Sequence, residues 1–162
     1  MHSKRFDLKL NNKISPFKKT ILVDSDKSIS IRSFLIGSIS QKISSVNNVL
    51  ESEDVFSAIN CLKKLGVKII KKSSRNYIVY GKGLGSFFIK KNANLNFGNS
   101  GTLARLLLGI LASTPGINVK VKGDHSLNKR SMKKLIDLMS KFGVYFLPKK
   151  KYLSLIHISE PT

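Results

Sequence analysis

Apolar residues recur at helical spacing in four stretches of the chain. The patterns predict helices over residues 26–41, 52–65, 98–113 and 126–142. On the first helix, the residues expected to share a buried face are Ile29, Phe34, Leu35 and Ile39. Ser52, which precedes two acidic residues, is a typical helix start, and Gly66 and Gly143 stand where helices commonly end.

Shorter apolar runs between these helices predict strands. They cover residues 43–50, 67–70, 76–83 and 117–123, and a further strand begins at Val144. The order helix, strand, helix, strand, strand therefore occurs twice, with a period of about 75 residues. We expect an α/β (α+β) fold in which residues 21–152 form a partial lobe of two repeats, at about 21–85 and 90–152.

Composition narrows the class of protein. Hydrophobic residues make up 41% of the 162 residues, which is enough for a real core. The net charge of +20 is spread over scattered lysine pairs, so we favour compositional drift and attraction of small anions over nucleic-acid binding, with a basic RNA-binding module as the alternative. The first residues do not resemble a secretory signal and no apolar run approaches membrane-spanning length, so we expect a cytoplasmic location and no membrane contact.

Neither Cys61 nor His125 by itself indicates a catalytic or metal-binding site. Cys61 lies within a helical pattern and is expected to be a small core residue. His125 has no second histidine or cysteine at metal-ligand spacing, so no metal site is predicted.

The final ten residues, "LSLIHISEPT", match the translation of a transposase adapter used in DNA library preparation. We expect residues 153–162 to be a non-native read-through. The alternative is a genuine strand, because "LSLIHI" is apolar enough to pair in a sheet.

The start of the first helix has the residues of an anion site. Lys27 stands at the helix mouth, where backbone N–H groups are unpaired, and Ser28 and Arg32 are four apart and share a face. An ammonium, a hydroxyl and a guanidinium beside free amides suit a phosphate or a carboxylate. The alternative is an ordinary solvated helix start.

The third helix repeats this arrangement in "GNSGTLAR". Asn99 or Ser100 can cap the helix, Gly101 permits close approach to the backbone, and Thr102 offers a hydroxyl. Arg105 returns to the face of Gly101 and can reach back over the helix mouth, unless it pairs with a carboxylate.

A third candidate is Arg130, which is expected to begin a helix after a polar loop in "GDHSLNKRSMKKL". Taken alone, this stretch is better explained by a solvated basic turn.

The motifs "DKSISIR", "LESEDV", "LKKLGV", "GNSGTLAR" and "GDHSLNKRSM" occur in the order and spacing of the 5-enolpyruvylshikimate-3-phosphate synthase family, which residues 5–152 resemble. Relatives that transfer enolpyruvyl to UDP-N-acetylglucosamine share the fold but differ at both anion motifs. The chain has Asp24 and Ser25 where the family usually has Pro-Gly, and Ile31 and Ser131 also differ from its usual residues.

The resemblance implies two lobes of three repeats each, the inside-out barrel of the enolpyruvyl transferases, with about two of the six units in this sequence. Residues 1–20 would join the other lobe. The implied activity transfers enolpyruvyl from phosphoenolpyruvate to the 5-hydroxyl of shikimate 3-phosphate and releases phosphate. It is a step of aromatic amino acid biosynthesis that needs no cofactor or metal, and the complete enzyme is expected to be a monomer. The acid and base residues would lie beyond residue 152, so this chain alone is expected to be inactive.

The resemblance also assigns residues to the two substrates. Lys27 would touch both, while Ser28 and Arg32 would hold shikimate 3-phosphate. Gly101 and Arg130 would bind phosphoenolpyruvate. The residues that would shape that second pocket are Asn99, Thr102 and Arg105.

Overall fold

The computed structural model describes residues 23–90 and 94–146, together with the isolated residues 9 and 18. The expectations for residues 1–20, apart from those two positions, and for residues 153–162 concern parts of the chain outside the described residues.

The first half of the described chain is a three-stranded antiparallel sheet with two helices. Its elements are α1 (Lys27–Ile39), β1 (Ile43–Val46), α2 (Glu53–Lys64), β2 (Lys68–Ser73) and β3 (Asn76–Tyr80). Strand β3 is central, in the order β1-β3-β2, with Ser44 opposite Val79 in β1 and Ile69 opposite Val79 in β2. Helix α1 lies close to the sheet at Gly37, where an added Cβ would be 3.4 Å from the Val79 Cβ.

The second half contains β4 (Asn94–Asn96), α3 (Gly101–Ala112), β5 (Lys120–Lys122), α4 (His125–Lys129) and α5 (Lys133–Ser140). Strands β4 and β5 pair in parallel, with Leu95 opposite Val121, and α3 forms the crossover between them. The order of helix, strand and helix in α3, β5 and α4 is the same as that in α1, β1 and α2.

One hydrophobic cluster joins the two halves. Helix α1 contacts α3, and α2 contacts β4. The largest fully buried side chains of this cluster include Phe34 of α1, Leu62 of α2, Phe97 beside β4 and Leu107 of α3. The starts of α1 and α3 are thereby built on one shared core.

The helices predicted over residues 26–41, 52–65 and 98–113 are confirmed, with ends that differ by a few residues. One detail of α1 is wrong: Ile29 is 62% exposed, and Ile31 is buried instead. Ser52 does lie at the N-cap of α2, but its hydroxyl makes no cap hydrogen bond. Gly66 and Gly143 follow α2 and α5 with φ of 86° and 83°, the left-handed conformation expected after a helix.

The single helix predicted over residues 126–142 is wrong, because the chain forms α4 and α5 with a break at residues 130–132. Leu127 and Met132 are both buried, and two residues five positions apart on one continuous helix would point to different sides. Arg130 consequently ends α4 in extended conformation, with φ −75° and ψ 130°, and does not begin a helix.

The strands are predicted less well than the helices. Strand β1 stops before Asn48, whose φ of 55° ends the extended conformation, and β5 is shorter than the apolar run around it. Strand β4 is not predicted, because Leu95 is the one apolar residue among its three. Residues 144–146 form no regular strand. Across the residues that the structure describes, no helix combines the length and the hydropathy needed to span a membrane.

Candidate anion-binding site

The first helix mouth is organised by a capping carboxylate and an ion pair. Asp26 Oδ1 accepts a hydrogen bond from the Ile29 amide at 2.7 Å, which fixes the start of α1. Lys27 and Ser28 are the first two helical residues, and Arg32 lies exposed one turn further on. The Lys27 Nζ is 2.8 Å from Asp54 Oδ2 at the start of α2.

The second helix mouth is capped by Ser100, whose Oγ accepts from the Leu103 amide at 3.2 Å. This decides between Asn99 and Ser100 as the cap. Gly101 is the first residue of α3 and is buried, and Thr102 beside it is half-buried.

Two guanidinium groups converge on Gly101. Arg105 Nη1 donates to the Gly101 carbonyl oxygen at 3.2 Å, and Arg130 Nη2 donates to Asn99 Oδ1 at 2.8 Å. A Cβ added to Gly101 would lie 2.8 Å from Arg105 Nη1 and 3.2 Å from Arg130 Nη1. The structure therefore brings Asn99, Gly101, Arg105 and Arg130 to one place, and Arg130 arrives there from the end of α4.

The guanidinium pair has no acidic counterpart among residues 23–90 and 94–146. The salt bridges there are Lys27–Asp54 and Lys71–Glu51, so the alternative in which Arg105 pairs with a carboxylate is not the arrangement seen. Two cations held at one helix mouth repel each other, and a bound anion would offset that repulsion. The geometry suits a phosphate or a carboxylate.

Helix α2 connects the two mouths through one face. Asp54 contacts Lys27, and a Cβ added to Gly98 would lie 2.9 Å from the Ser57 Oγ. One turn later the Cys61 Sγ donates to the Asn96 carbonyl at 3.2 Å. Since residues 54, 57 and 61 lie on the same side of a helix, α2 sets the relative position of the two mouths.

Sequence reasoning missed the roles of Asp54 and Ser57. It treated Asp54 as an acidic residue suited to a helix N-terminus. The available signal was the helical spacing of Asp54, Ser57 and Cys61.

Comparison with known proteins identifies the family. A model of the EPSP synthase (3-phosphoshikimate 1-carboxyvinyltransferase) family matches residues 11–159. The chain belongs to the EPSP synthase family.

Individual members of the EPSP synthase family agree with this assignment. The chain is 38% identical over 135 residues to 3-phosphoshikimate 1-carboxyvinyltransferase of Syntrophomonas wolfei, covering 83% of this chain and 31% of the relative. It is 45% identical over 124 residues to the protein of that name from Oceanobacillus iheyensis, covering 76% and 28%. The chain thus spans about a third of the length of the curated relatives it matches.

The fold agrees as well. The solved structure of EPSP synthase from Acinetobacter baumannii matches with a TM-score of 0.75 and 28% identity, covering 87% of this chain and 32% of that one. The helix-and-sheet units therefore belong to the inside-out α/β fold of EPSP synthase.

A cavity of about 240 Å³ adjoins Arg105 in this chain. Its lining consists of Arg105, Ser131, Met132, Lys134 and Leu135. Ser131 and Lys134 therefore line the same cavity as Arg105, and sequence reasoning did not single out Lys134. The run "RSMKK" carried a signal, because its basic residues follow the polar loop that leads to Arg130.

The Cys61 thiol is not suited to act as a nucleophile. Burial is the main cause that raises the pKa of the Cys61 thiol to about 12, against the opposing charge of Lys64. The thiol stays protonated and fills core space, as predicted from the sequence. Within the described ranges, no group of three or more potential metal ligands comes together.

Proposed function

We propose that the protein to which this chain contributes transfers enolpyruvyl from phosphoenolpyruvate to the 5-hydroxyl of shikimate 3-phosphate, with release of phosphate. Membership of the EPSP synthase family supports this activity. The observation that carries it for this chain is the convergence of Arg105 and Arg130 on Gly101 at the start of α3.

The mouth of α3 would receive phosphoenolpyruvate. Gly101 leaves the backbone accessible, and Arg130 presents a guanidinium that Asn99 orients at 2.8 Å. Thr102 and Arg105 would complete the pocket. A guanidinium fork matches the paired oxygens of a carboxylate or a phosphate, and phosphoenolpyruvate carries both groups.

The mouth of α1 would receive shikimate 3-phosphate through Ser28 and Arg32. Lys27 would reach both substrates, because Asp54 holds its ammonium group beside α2, the helix that also packs at Gly98. Two multiply charged anions side by side repel each other, so cations at both mouths lower the cost of bringing them together.

The proposed reaction is an addition followed by an elimination. The 5-hydroxyl gives its proton to a base as its oxygen forms a bond to C2 of phosphoenolpyruvate, and a proton from an acid adds to C3. The C2–O bond to phosphate then breaks, and loss of a proton from C3 restores the double bond. The residues assigned here bind and orient the anions, and the acid and base groups belong to other parts of the enzyme.

Replacement of Arg130 or Lys27 in the complete enzyme tests the assignment of these residues to substrate binding. We expect Arg130→Ala and Lys27→Ala each to lower kcat/KM by about tenfold to a hundredfold, because each removes charge-assisted hydrogen bonds to an anion. Phosphate release from the two substrates is the measurement. Lys129→Ala, a neighbouring exposed cation, is the matched control and should remain near wild type.

Near-normal turnover by Arg130→Ala would contradict the site assignment. Absence of activity with shikimate 3-phosphate in the wild-type enzyme would contradict the function itself. Salt-dependent RNA affinity without saturable substrate binding would favour the alternative of a basic RNA-binding module.

A further inference from the structure

The tip of the β2–β3 hairpin holds an arginine in an uncommon conformation. Arg75 has φ of 60°, a left-handed backbone conformation that bulky residues rarely adopt. Its amide donates to Glu51 Oε1 at 3.2 Å, and its Nε donates to the Val49 carbonyl at 3.1 Å. Its Nη2 donates to the Ser25 Oγ, fifty positions earlier in the chain.

Glu51 holds the backbone of Arg75 in place through the Arg75 amide. Its Oε1 also accepts from the Tyr77 hydroxyl at 2.5 Å and lies 2.7 Å from the Lys71 Nζ. Both donors come from the hairpin that carries Arg75. The carboxylate therefore links the loop before α2 to the hairpin at three points.

The same loop is bonded to the first turn of α1. The Leu50 amide donates to the Ser30 Oγ at 3.0 Å, and that hydroxyl donates to the Asp26 carbonyl at 2.8 Å. Ser30 is only 5% exposed, so this contact lies inside the packed structure. Asp26 is the residue that caps α1.

We propose that Arg75 is a positioning residue for the anion-binding mouth of α1. It reaches Ser25 directly, two positions before Lys27, and it reaches Asp26 through the loop at residues 49–51. These two connections, here called the Arg75 clamp, set the direction in which the chain enters α1 and so place Lys27 and Ser28. Their link to shikimate 3-phosphate rests on the proposed function.

The clamp can be opened without removing a substrate contact. Arg75→Asn keeps a residue that tolerates positive φ but removes the guanidinium, and Ser25→Ala removes only the accepting hydroxyl. Lys72→Ala removes an exposed cation from the same hairpin and is the matched control. All three are made in the complete enzyme.

The first measurement is amide hydrogen exchange, which needs no substrate. Exchange in residues 25–30 should accelerate about tenfold in both clamp variants. Local opening of the wild type breaks a hydrogen bond to a charged group, and the variants lack that bond, so opening costs them less. Exchange in residues 101–105 should not change, and the Lys72→Ala protein should match wild type. Unchanged exchange in residues 25–30, or equal acceleration at both mouths, would overturn the proposal.

The second measurement is a comparison of the two KM values. The KM for shikimate 3-phosphate should rise about tenfold, and by more than the KM for phosphoenolpyruvate, because the contacts at the mouth of α3 are untouched. Simple destabilisation would lower the active fraction and leave both KM values alone, which would also overturn the proposal. If the wild-type enzyme has no such activity, the proposed function fails, and the exchange measurement alone decides whether the clamp exists.

Discussion

Gly101 controls how closely two guanidinium groups approach the start of α3. From the sequence, the glycine was expected to admit a ligand to the backbone. In the structure, the space that a side chain would fill borders the Nη1 atoms of Arg105 and Arg130. The glycine is therefore needed for the position of the cations as well as for access by an anion.

Replacement of Gly101 by alanine tests this requirement. The new Cβ would displace both guanidinium groups, so in the complete enzyme with the proposed activity we expect the KM for phosphoenolpyruvate to rise about tenfold, the effect of losing about one charge-assisted hydrogen bond. The free energy of unfolding, measured with urea, should not fall, because alanine is the better helix former.

Gly109 provides the matched control on the same helix. An added Cβ there meets nothing within 4 Å. Gly109→Ala should stabilise the protein by about 0.5–1 kcal/mol and leave KM unchanged. An unchanged KM in Gly101→Ala would show that the guanidinium groups do not depend on this space.

The β2–β3 hairpin and the loop before α2 are linked through Glu51. The contact with Lys71, and then that with Tyr77, lowers the Glu51 pKa from 4.5 to about 2. The folded protein thus favours the carboxylate more than the unfolded chain does. This contribution to stability is present above about pH 4.5 and is lost as the pH falls toward 2.

Glu51→Gln should remove this part of the acid sensitivity. The free energy of unfolding of the wild type should fall between about pH 5 and pH 2, and the fall should be smaller in the variant. Urea unfolding at a series of pH values measures it. Glu53→Gln, which removes an exposed carboxylate from the first turn of α2, is the control and should keep the wild-type slope. Parallel curves for all three proteins would contradict the role of Glu51.

One side of α1 exposes apolar surface. Ile29 and Ile36 are 62% and 65% exposed, and Ile43 on the neighbouring edge strand is 61% exposed. A groove of about 310 Å³ between α1 and β1 includes Ile36 and Val46 in its lining. Exposed apolar residues grouped in this way favour association.

We expect the 162-residue chain to associate as the salt concentration rises. The net charge of +20 keeps molecules apart in dilute buffer, and salt screens that repulsion. Light scattering across a salt series measures the association. Ile36→Ser should reduce it, whereas Tyr145→Ser, which removes an exposed aromatic residue outside the groove, should have less effect. A monodisperse monomer at high salt would contradict this expectation.

The sequence alone determined the features that depend on neighbouring residues. Helices α1, α2 and α3 follow from apolar periodicity and capping, and Gly66 ends α2 because a left-handed residue is needed there. The motifs at Lys27 and Gly101 likewise predicted two cationic helix mouths. Each of these signals lies within one or two helical turns, so no knowledge of distant segments was needed.

Contacts between residues far apart in the chain are seen only in the folded structure. Arg130 reaches Asn99 across 31 positions, and Arg75 reaches Ser25 across 50. The break between α4 and α5 arises because Leu127 and Met132 must both enter the core, which local propensity does not reveal. Such contacts depend on how separate elements pack against one another, and the sequence around either partner contains no record of the other.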